Sequence, residues 1–312
     1  MTKNLTLESS ICLLRNQYVP FHDANLSIAS SPVLYGLCVY TVFSVNWNES
    51  KQQLFAFRLK DHYERLLRSC RVMGFADIGA QYSYEHFKQR MLELITKNEV
   101  KEDALVRVMV FIDEISAGTK IDGLKVALTA YVYPMGEILN MNGIHACVSS
   151  WTRNADNMIP PRAKLNGGYI NASLMKNEAL LNGYDEAIAL DAHGHVAEGT
   201  VANLFLVRGG KLLTPHAQAD ILEGITRNSI LKIASSMNIP LEERDVDRTE
   251  LYIADEMMLV GSSARITPVL SVDRRAIGAG EQGSITKQLS EAYRAAQYGE
   301  DEAYADWLIP IY

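Results

Sequence analysis

Apolar residues along the first half of the chain follow two periods, one typical of strands and one typical of helices. They recur at intervals of three and four within residues 61–74 and 83–97, which predicts two amphipathic helices. Gly74 stands where a left-handed cap would end the first helix. Short apolar and β-branched runs predict strands at residues 11–14, 39–45, 105–112 and 124–132. We expect the last two strands to be neighbours.

A segment with proline and glycine residues, which interrupt helices and strands, divides the chain near its middle. Residues 134–143 have no clean period, which favours a connection between domains. We therefore expect a small α/β domain at residues 1–133 and a larger, strand-rich domain at residues 144–312. Gly209 and Gly210 predict a hairpin, because both accept a positive φ. Further strands are predicted at residues 146–149, 187–190, 204–207 and 257–260, and helices at 170–182 and 227–237.

The composition indicates a folded protein without the features of a nucleic-acid or membrane protein. The 312 residues are 48% hydrophobic, which is enough to bury a core, and the net charge is -7 with no long basic block. The longest apolar runs are too short to cross a bilayer, and the N-terminus has no signal-peptide pattern, so we expect a cytoplasmic protein. The scattered cysteines predict buried, reduced thiols and no metal site; they are Cys12, Cys38, Cys70 and Cys147.

Two segments carry groups that suit a phosphorylated aldehyde cofactor. Lys164 precedes a glycine pair, and Tyr169 follows it five residues later. A lysine amine reacts with an aldehyde only when it is unprotonated, a state that burial and nearby positive charge favour. Glu198 precedes a short polar turn into an apolar strand, and a carboxylate set against a pyridine nitrogen would keep that nitrogen protonated. Taken singly, each residue also fits an ordinary surface loop.

Two further segments could bind an anion. Gly224 precedes a helical pattern that starts with Ile225 and Thr226, and backbone N–H groups at a helix start form a natural phosphate seat. A plain capped helix fits this segment equally well. Ser262 and Ser263 form a turn directly after a buried-strand pattern, and their hydroxyl and backbone N–H groups could face an anion.

In this order, the four segments resemble the class IV aminotransferases of pyridoxal 5'-phosphate (PLP) fold type IV, and within them the branched-chain amino acid aminotransferases. The likeness covers nearly the whole chain and is densest over residues 149–270. It is carried by residues 149–153, 159–164, 183–187, 191, 198–205, 214–215, 224–227, 254–256 and 265–269. The resemblance implies an α+β, two-domain fold like that of D-amino acid aminotransferase, with PLP as cofactor. It also implies a small-molecule amino donor, a keto-acid acceptor and at least a homodimer. The charge and the short apolar runs indicate neither nucleic acid nor membrane as partner.

The same resemblance assigns a role to each candidate residue. Lys164 binds PLP and moves the proton, Tyr169 contacts the phenolic oxygen, and Glu198 pairs with the pyridine nitrogen. The phosphate is expected on the amides of Ile225 and Thr226. The other expected cofactor contacts are Arg58, Leu222, Gly224 and Ser262. The expected substrate contacts are Tyr35, Tyr40, Arg107, Ser262 and Ser263.

The sequence departs from the family where substrate choice is set. Thr41 and Val42 replace an acidic residue and a glycine, Leu105 replaces a tyrosine that helps hold the substrate carboxylate, and Met135 replaces a tryptophan. We expect amino transfer from a branched-chain L-amino acid to a keto acid such as 2-oxoglutarate. D-amino acid aminotransferase, (R)-amine transaminase and aminodeoxychorismate lyase activities stay open. A non-catalytic PLP-binding protein is a further alternative, against which the retained lysine, glutamate and tyrosine argue.

Overall fold

The computed structural model describes residues 5–75, 78–116, 118–136 and 139–312, which form two compact units. As far as they are described, the first unit comprises Met1–Gly136, Ala163–Gly167 and Ala296–Tyr312, and the second comprises Glu137–Arg162 and Gly168–Ala295. The units thus differ from the predicted continuous domains, because residues 163–167 and 296–312 pack with the first unit. Residues 137 and 138 of the predicted connection lie outside the described residues.

The described residues contain strands and helices in both units. The strands are β1 (Ile11–Leu14), β2 (Gln17–Pro20), β3 (Cys38–Asn48), β4 (Gln53–Phe57), β5 (Ala104–Ile112), β6 (Val126–Pro134), β7 (Ile144–Thr152), β8 (Glu186–Leu190), β9 (Val196–Gly199), β10 (Asn203–Arg208), β11 (Lys211–Thr214), β12 (Leu241–Glu243), β13 (Glu256–Gly261), β14 (Arg265–Val272), β15 (Arg275–Ala276) and β16 (Leu308–Pro310). The helices are α1 (Ser31–Tyr35), α2 (Leu59–Val72), α3 (Ile78–Gln81), α4 (Tyr84–Lys97), α5 (Tyr169–Leu181), α6 (Ile225–Ser236) and α7 (Ser284–Tyr298). Short 3-10 turns lie at Phe21–Asp23, Arg248–Ile253 and Glu302–Trp307.

The first unit is built on an antiparallel seven-stranded sheet in the order β16-β4-β3-β5-β6-β1-β2. Helices α2 and α4 bury one apolar face each in its core, with Leu66 and Cys70 on the first helix and Met91 on the second. The two helices and the adjacent pairing of β5 and β6 confirm the prediction from apolar spacing. Gly74 has a φ of 68°, as a left-handed cap requires.

The second unit contains a mixed sheet of nine strands in the order β12-β11-β10-β13-β14-β7-β8-β9, with β15 paired to β14. Strand β7 pairs in parallel with both β14 and β8. Strands β10 and β11 are joined by a two-residue turn in which Gly209 and Gly210 have φ values of 55° and 74°. This confirms the predicted hairpin, because a two-residue turn with both φ values positive matches the strand twist.

Helices and strands in two sheets confirm the expected α+β class. All four cysteines are buried with free thiols. None of the helices in the described ranges is both long enough and apolar enough to span a bilayer.

Candidate active site

The residues predicted to form the active site divide between the two units, and each group is described within its own unit. The first unit contains Tyr35, Tyr40, Arg58, Arg107 and Lys164. The second unit contains Tyr169, Glu198, Leu222, Gly224, Ile225, Thr226, Ser262 and Ser263.

The backbone around Lys164 is fixed by two elements of the first unit. The carbonyl oxygen of Lys164 accepts a hydrogen bond from the Tyr40 amide at 3.0 Å, and Leu165 forms an isolated antiparallel bridge with Val39 of β3. The Lys164 amide donates to Oγ of Ser69 on α2 at 3.1 Å. Lys164 is half-buried, so it is not the solvated loop lysine that the sequence alone also allowed.

The ring of Tyr40 brings two of the predicted site residues together. Nζ of Lys164 lies 4.9 Å from the ring centroid, and the guanidinium carbon of Arg107 lies 4.0 Å from it. Both distances are within the range of cation–π attraction. One buried ring therefore lies close to both the candidate proton-moving lysine and the candidate carboxylate-binding arginine.

A buried polar network lies next to Lys164 on α2 and β3. Oγ1 of Thr41 accepts a hydrogen bond from Nη2 of Arg65 at 3.2 Å and lies 2.8 Å from Nδ1 of His62. Because the threonine hydroxyl carries one proton, it can donate that proton to His62 while it accepts from the arginine. Burial, followed by the charges of Arg65, Arg58 and Lys164, lowers the pKa of His62 well below its usual value. The imidazole of His62 is therefore neutral, and the nearby Arg65, Arg58 and Lys164 side chains disfavour its protonation.

Arg58 is buried at the start of α2, although it is a charged residue. Its Nη2 and Nε atoms lie 2.7 and 3.0 Å from the two carboxylate oxygens of Asp61. This two-point pairing fixes one edge of the planar guanidinium group. Arg58 is therefore an oriented cation, rather than the surface arginine that its sequence position also allowed.

Glu198 is the centre of the polar group in the second unit. Its buried carboxylate lies 2.6 Å from a guanidinium nitrogen of Arg153 and accepts a hydrogen bond from Nδ2 of Asn203 at 2.8 Å. The Leu222 amide donates to the same carboxylate at 3.3 Å. Arg153 compensates the charge of a carboxylate in this buried position, which burial alone would make unfavourable. Glu198 is thus not an ordinary turn glutamate.

Helix α6 begins at Ile225, two residues before the predicted start at residue 227, so Ile225 and Thr226 lie in its first turn. The N-cap residue Gly224 provides no side-chain cap, and the positive end of the helix dipole lies here. A Cβ atom on Gly224 would lie 2.0 Å from Oδ1 of Asn203. The glycine is therefore required by the close approach of Asn203. The hydroxyls of Thr226 and Tyr293 are 3.3 Å apart.

The remaining predicted residues lie at the ends of elements. Tyr169 is the first residue of α5 and is half-buried. Ser262 and Ser263, also half-buried, lie in the short turn between β13 and β14. Tyr35 ends α1 and is 42% exposed. The fully buried Leu105 on β5, by contrast, is a core residue opposite Ser44 and Tyr133.

The sequence interpretation missed the residues that orient the site. Arg153 and Asn203 hold Glu198, and His62 and Arg65 form the network around Thr41. Arg153 had a signal, because it lies in a stretch that carries the family resemblance. Asn203 lies in another such stretch, whereas His62 and Arg65 had no signal, since a hydrogen bond between distant positions leaves no local pattern. Among the residues that the structure describes, no cluster of three or more His, Cys, Asp or Glu side chains could hold a metal ion.

The donor set in each unit fits PLP. The buried ion pair of Glu198 can face a protonated pyridine nitrogen, and the α6 N-terminus can face a phosphate. Lys164 could supply the amine, and Arg58 could bind the phosphate as a further cation, although Asp61 already engages one edge of that guanidinium. A lysine, a buried carboxylate and an anion seat are the groups by which a PLP-dependent enzyme holds its cofactor.

Comparison with known proteins agrees with this class. The family model of amino-transferase class IV matches residues 39–272, and the chain belongs to that family. A probable branched-chain-amino-acid aminotransferase of Aquifex aeolicus is 39% identical over 314 residues, which is 100% of this chain and 99% of the relative. The branched-chain aminotransferase of Thermoproteus uzoniensis, solved with norvaline, has a TM-score of 0.92 and 37% identity over 97% of this chain and 100% of its own. The Thermobaculum terrenum enzyme in its PLP form has the same TM-score and 32% identity over 98% and 100% of the two chains.

These findings confirm the family and the fold predicted from the sequence. The chain has the fold of the type IV aminotransferases and is a PLP-dependent aminotransferase. The individual site residues remain a prediction, which the geometry within each unit supports.

Proposed function

We propose that this enzyme transfers an amino group from a branched-chain L-amino acid to a 2-keto acid such as 2-oxoglutarate. The observation that carries the proposal is the full-length likeness to the branched-chain-amino-acid aminotransferase of Aquifex aeolicus, at 39% identity. The placement of Lys164 and Arg107 against one buried ring supports it, because amino transfer from an α-amino acid needs a proton carrier and a carboxylate partner.

The residues of this chain have distinct tasks in the proposed reaction. Arg58 and the N-terminal turn of α6 bind the phosphate of PLP, and Glu198 keeps a proton on the pyridine nitrogen. Tyr169 orients the ring through its phenolic oxygen. When bound, PLP supplies an electron sink for the charge that develops at the substrate α-carbon. Nζ of Lys164 takes the proton from that carbon, and Arg107 orients the substrate by binding the substrate carboxylate.

The departures at Thr41, Leu105 and Met135 favour one alternative: a different donor on the same cofactor chemistry. Leu105 cannot supply the hydroxyl that the family tyrosine supplies. The donor is then a D-amino acid or an (R)-amine, and the local sequence Lys164-Leu165-Asn166 resembles the D-amino acid group. Aminodeoxychorismate lyase activity is a third use of the same site.

A donor screen tests the proposal. We expect L-leucine and L-valine to react with 2-oxoglutarate faster than D-alanine reacts with 2-oxoglutarate, or than (R)-1-phenylethylamine reacts with 2-oxoglutarate or pyruvate. Each rate is measured by formation of the keto acid or ketone that the donor becomes. Lys164→Ala should remain folded but lose turnover and the visible absorbance of the bound cofactor, whereas Lys88→Ala on the outer part of α4 should retain both. Activity confined to D-alanine or to the amine would reject the branched-chain assignment. Turnover by Lys164→Ala would reject the site.

We also propose that the enzyme works as a homodimer, or a larger homo-oligomer, in the cytoplasm. The outer face of α5 supports association, because Ile170, Leu174 and Leu181 are exposed apolar side chains at helical spacing. The free, buried thiols suit a reducing compartment. Light scattering on the purified protein should give at least twice the monomer mass, and a monomer at micromolar concentration would contradict this.

A further inference from the structure

The backbone of Arg58 adopts a conformation that a residue with a side chain rarely adopts. At the junction of β4 and α2 its φ and ψ are 51° and 39°, in the left-handed region. This conformation costs about 1–2 kcal/mol for a residue other than glycine. Strain of this kind persists only where surrounding contacts fix it. The Arg58 side chain is also buried, so both its backbone and its guanidinium group require partners.

The C-terminal segment, residues 302–310, supplies those partners within the first unit. The amide of Arg58 donates to the carbonyl oxygen of Trp307 at 2.7 Å. The guanidinium carbon lies 4.9 Å from the centroid of the Trp307 ring. The same residue thus contacts the arginine at its backbone and at the face of its charged group.

Trp307 is itself held firmly by its neighbours. Strand β16 follows it directly and pairs with β4, with Leu308 opposite Phe57. Its ring packs edge-on against Phe57, with 5.8 Å between the centroids. It also packs at a tilt of 40° against Tyr304, with 4.4 Å between the centroids. Trp307 is only 9% exposed. A ring fixed in this way can restrict the guanidinium face that rests on it.

Asp61 and Trp307 restrain different parts of the same guanidinium group. The carboxylate engages the edge that contains Nε and Nη2, and it is 43% exposed. The indole contacts the face. An edge contact and a face contact together define the orientation of a planar group, which neither contact does alone.

We propose that Trp307 is a positioning residue that orients Arg58 toward the cofactor phosphate. The proposal rests on the proposed function, in which Arg58 binds that phosphate. It gives the C-terminal segment a role in cofactor binding through its contacts with Arg58. Without the indole, Arg58 stays buried but is loosely oriented. The contacts to the PLP phosphate then become weaker, whereas the contacts to the pyridine ring do not change.

The test compares two ligands that differ only in the phosphate. Full-length protein freed of cofactor is titrated with PLP and, separately, with pyridoxal, and the Kd of each is read from the visible band. For Trp307→Leu we expect PLP to bind about 3- to 10-fold more weakly and pyridoxal to bind within about 2-fold of the unaltered protein. Trp307→Phe keeps an aromatic ring, so its increase in log Kd for PLP should be about half that of Trp307→Leu. Trp47→Leu in the same sheet is the matched control, since Trp47 pairs with Leu54 at the opposite end of β4, and both its Kd values should stay unchanged.

Equal weakening of PLP and pyridoxal, or no weakening of either, would overturn the proposal. So would a selective loss for PLP in Trp47→Leu. If Trp307→Leu fails to fold, Trp307→Phe decides by the same ratio of Kd values. Combined with Arg58→Gln, Trp307→Leu should add little further loss, because the indole acts through the arginine. If the unaltered protein itself shows no visible band with PLP, the proposed function fails, an outcome distinct from an unchanged Kd ratio.

Discussion

At the residue scale, two buried ionisable side chains, His62 and Glu198, differ in how the protein accommodates them. His62 stays neutral because it is buried and because Arg65, Arg58 and Lys164 lie near it. The carboxylate of Glu198, by contrast, is in direct contact with the guanidinium group of Arg153, which compensates its negative charge. Each arrangement has a consequence for stability that can be measured without substrate.

The buried His62 makes folding stability depend on pH. Its pKa is well below 6.5 in the folded protein and about 6.5 in the unfolded chain. Above pH 6.5 both states are neutral and the group has no effect. As the pH falls below 6.5 the unfolded chain takes up a proton that the folded protein does not, so stability is lost by at most about 1.4 kcal/mol per pH unit.

Urea unfolding between about pH 5 and pH 8 measures this loss. His62→Gln should be less stable at neutral pH but should show a shallower decline below pH 6.5. His22→Gln is the control, because the His22 side chain is 73% exposed, and it should leave the decline unchanged. An unaltered decline in His62→Gln would show that the histidine is not held neutral.

The ion pair of Arg153 and Glu198 predicts a strong coupling. Arg153→Met leaves a buried carboxylate without its cation and should destabilise the protein by about 3 kcal/mol in urea unfolding. Glu198→Gln instead removes the negative charge of the pair and leaves Arg153 without its carboxylate. The double variant should lose less than the sum of the two single variants, because the second change removes the charge that the first left uncompensated. Simple additivity would mean that the two side chains do not form the pair.

At the element scale, apolar spacing predicts some helices and strands of this protein and misses others. Helices α2 and α4 have a regular apolar face, and they were predictable. Helix α7 has apolar residues at the same spacing, at Ile285, Leu289, Tyr293 and Ala296, yet it is not among the elements predicted from the sequence. Strand β14 was missed because Pro268 interrupts its apolar run, and proline is unfavourable inside most sheets. Apolar spacing alone therefore identifies core residues better than it identifies where each helix or strand begins and ends.

The start of α6 provides a test at this scale. Gly224→Ala places a methyl group 2.0 Å from Oδ1 of Asn203, whose amide nitrogen bonds both Glu198 and the Leu222 carbonyl. Asn203 must move, so we expect a loss of about 1–3 kcal/mol in stability and weaker PLP binding. Gly136→Ala meets nothing within 4 Å and should change neither quantity. An unchanged Gly224→Ala protein would mean that Asn203 can move at no cost.

At the scale of the whole molecule, the sequence predicts the class of fold and the cofactor better than it predicts the division of the chain. Motifs such as Glu198 and Gly224 to Thr226 are local, so the family resemblance could assign them. The units are not local: residues 163–167 and 296–312 join the first unit through backbone pairing with strands far earlier in the chain. Such pairing depends on backbone groups, which every residue carries, and leaves no signature in side-chain order.

The pairing of β16 with β4 also sets an order in time when the chain is made. Strand β4 lies at residues 53–57, and the strand that covers its outer edge lies at residues 308–310. During synthesis the edge of β4 stays uncovered until residues 308–310 have been made, and an uncovered edge is where strands of other chains can add. The backbone of Arg58 likewise acquires its Trp307 partner only at that moment. The first unit is therefore completed only after the second unit has been translated, even though most of the first unit is translated earlier.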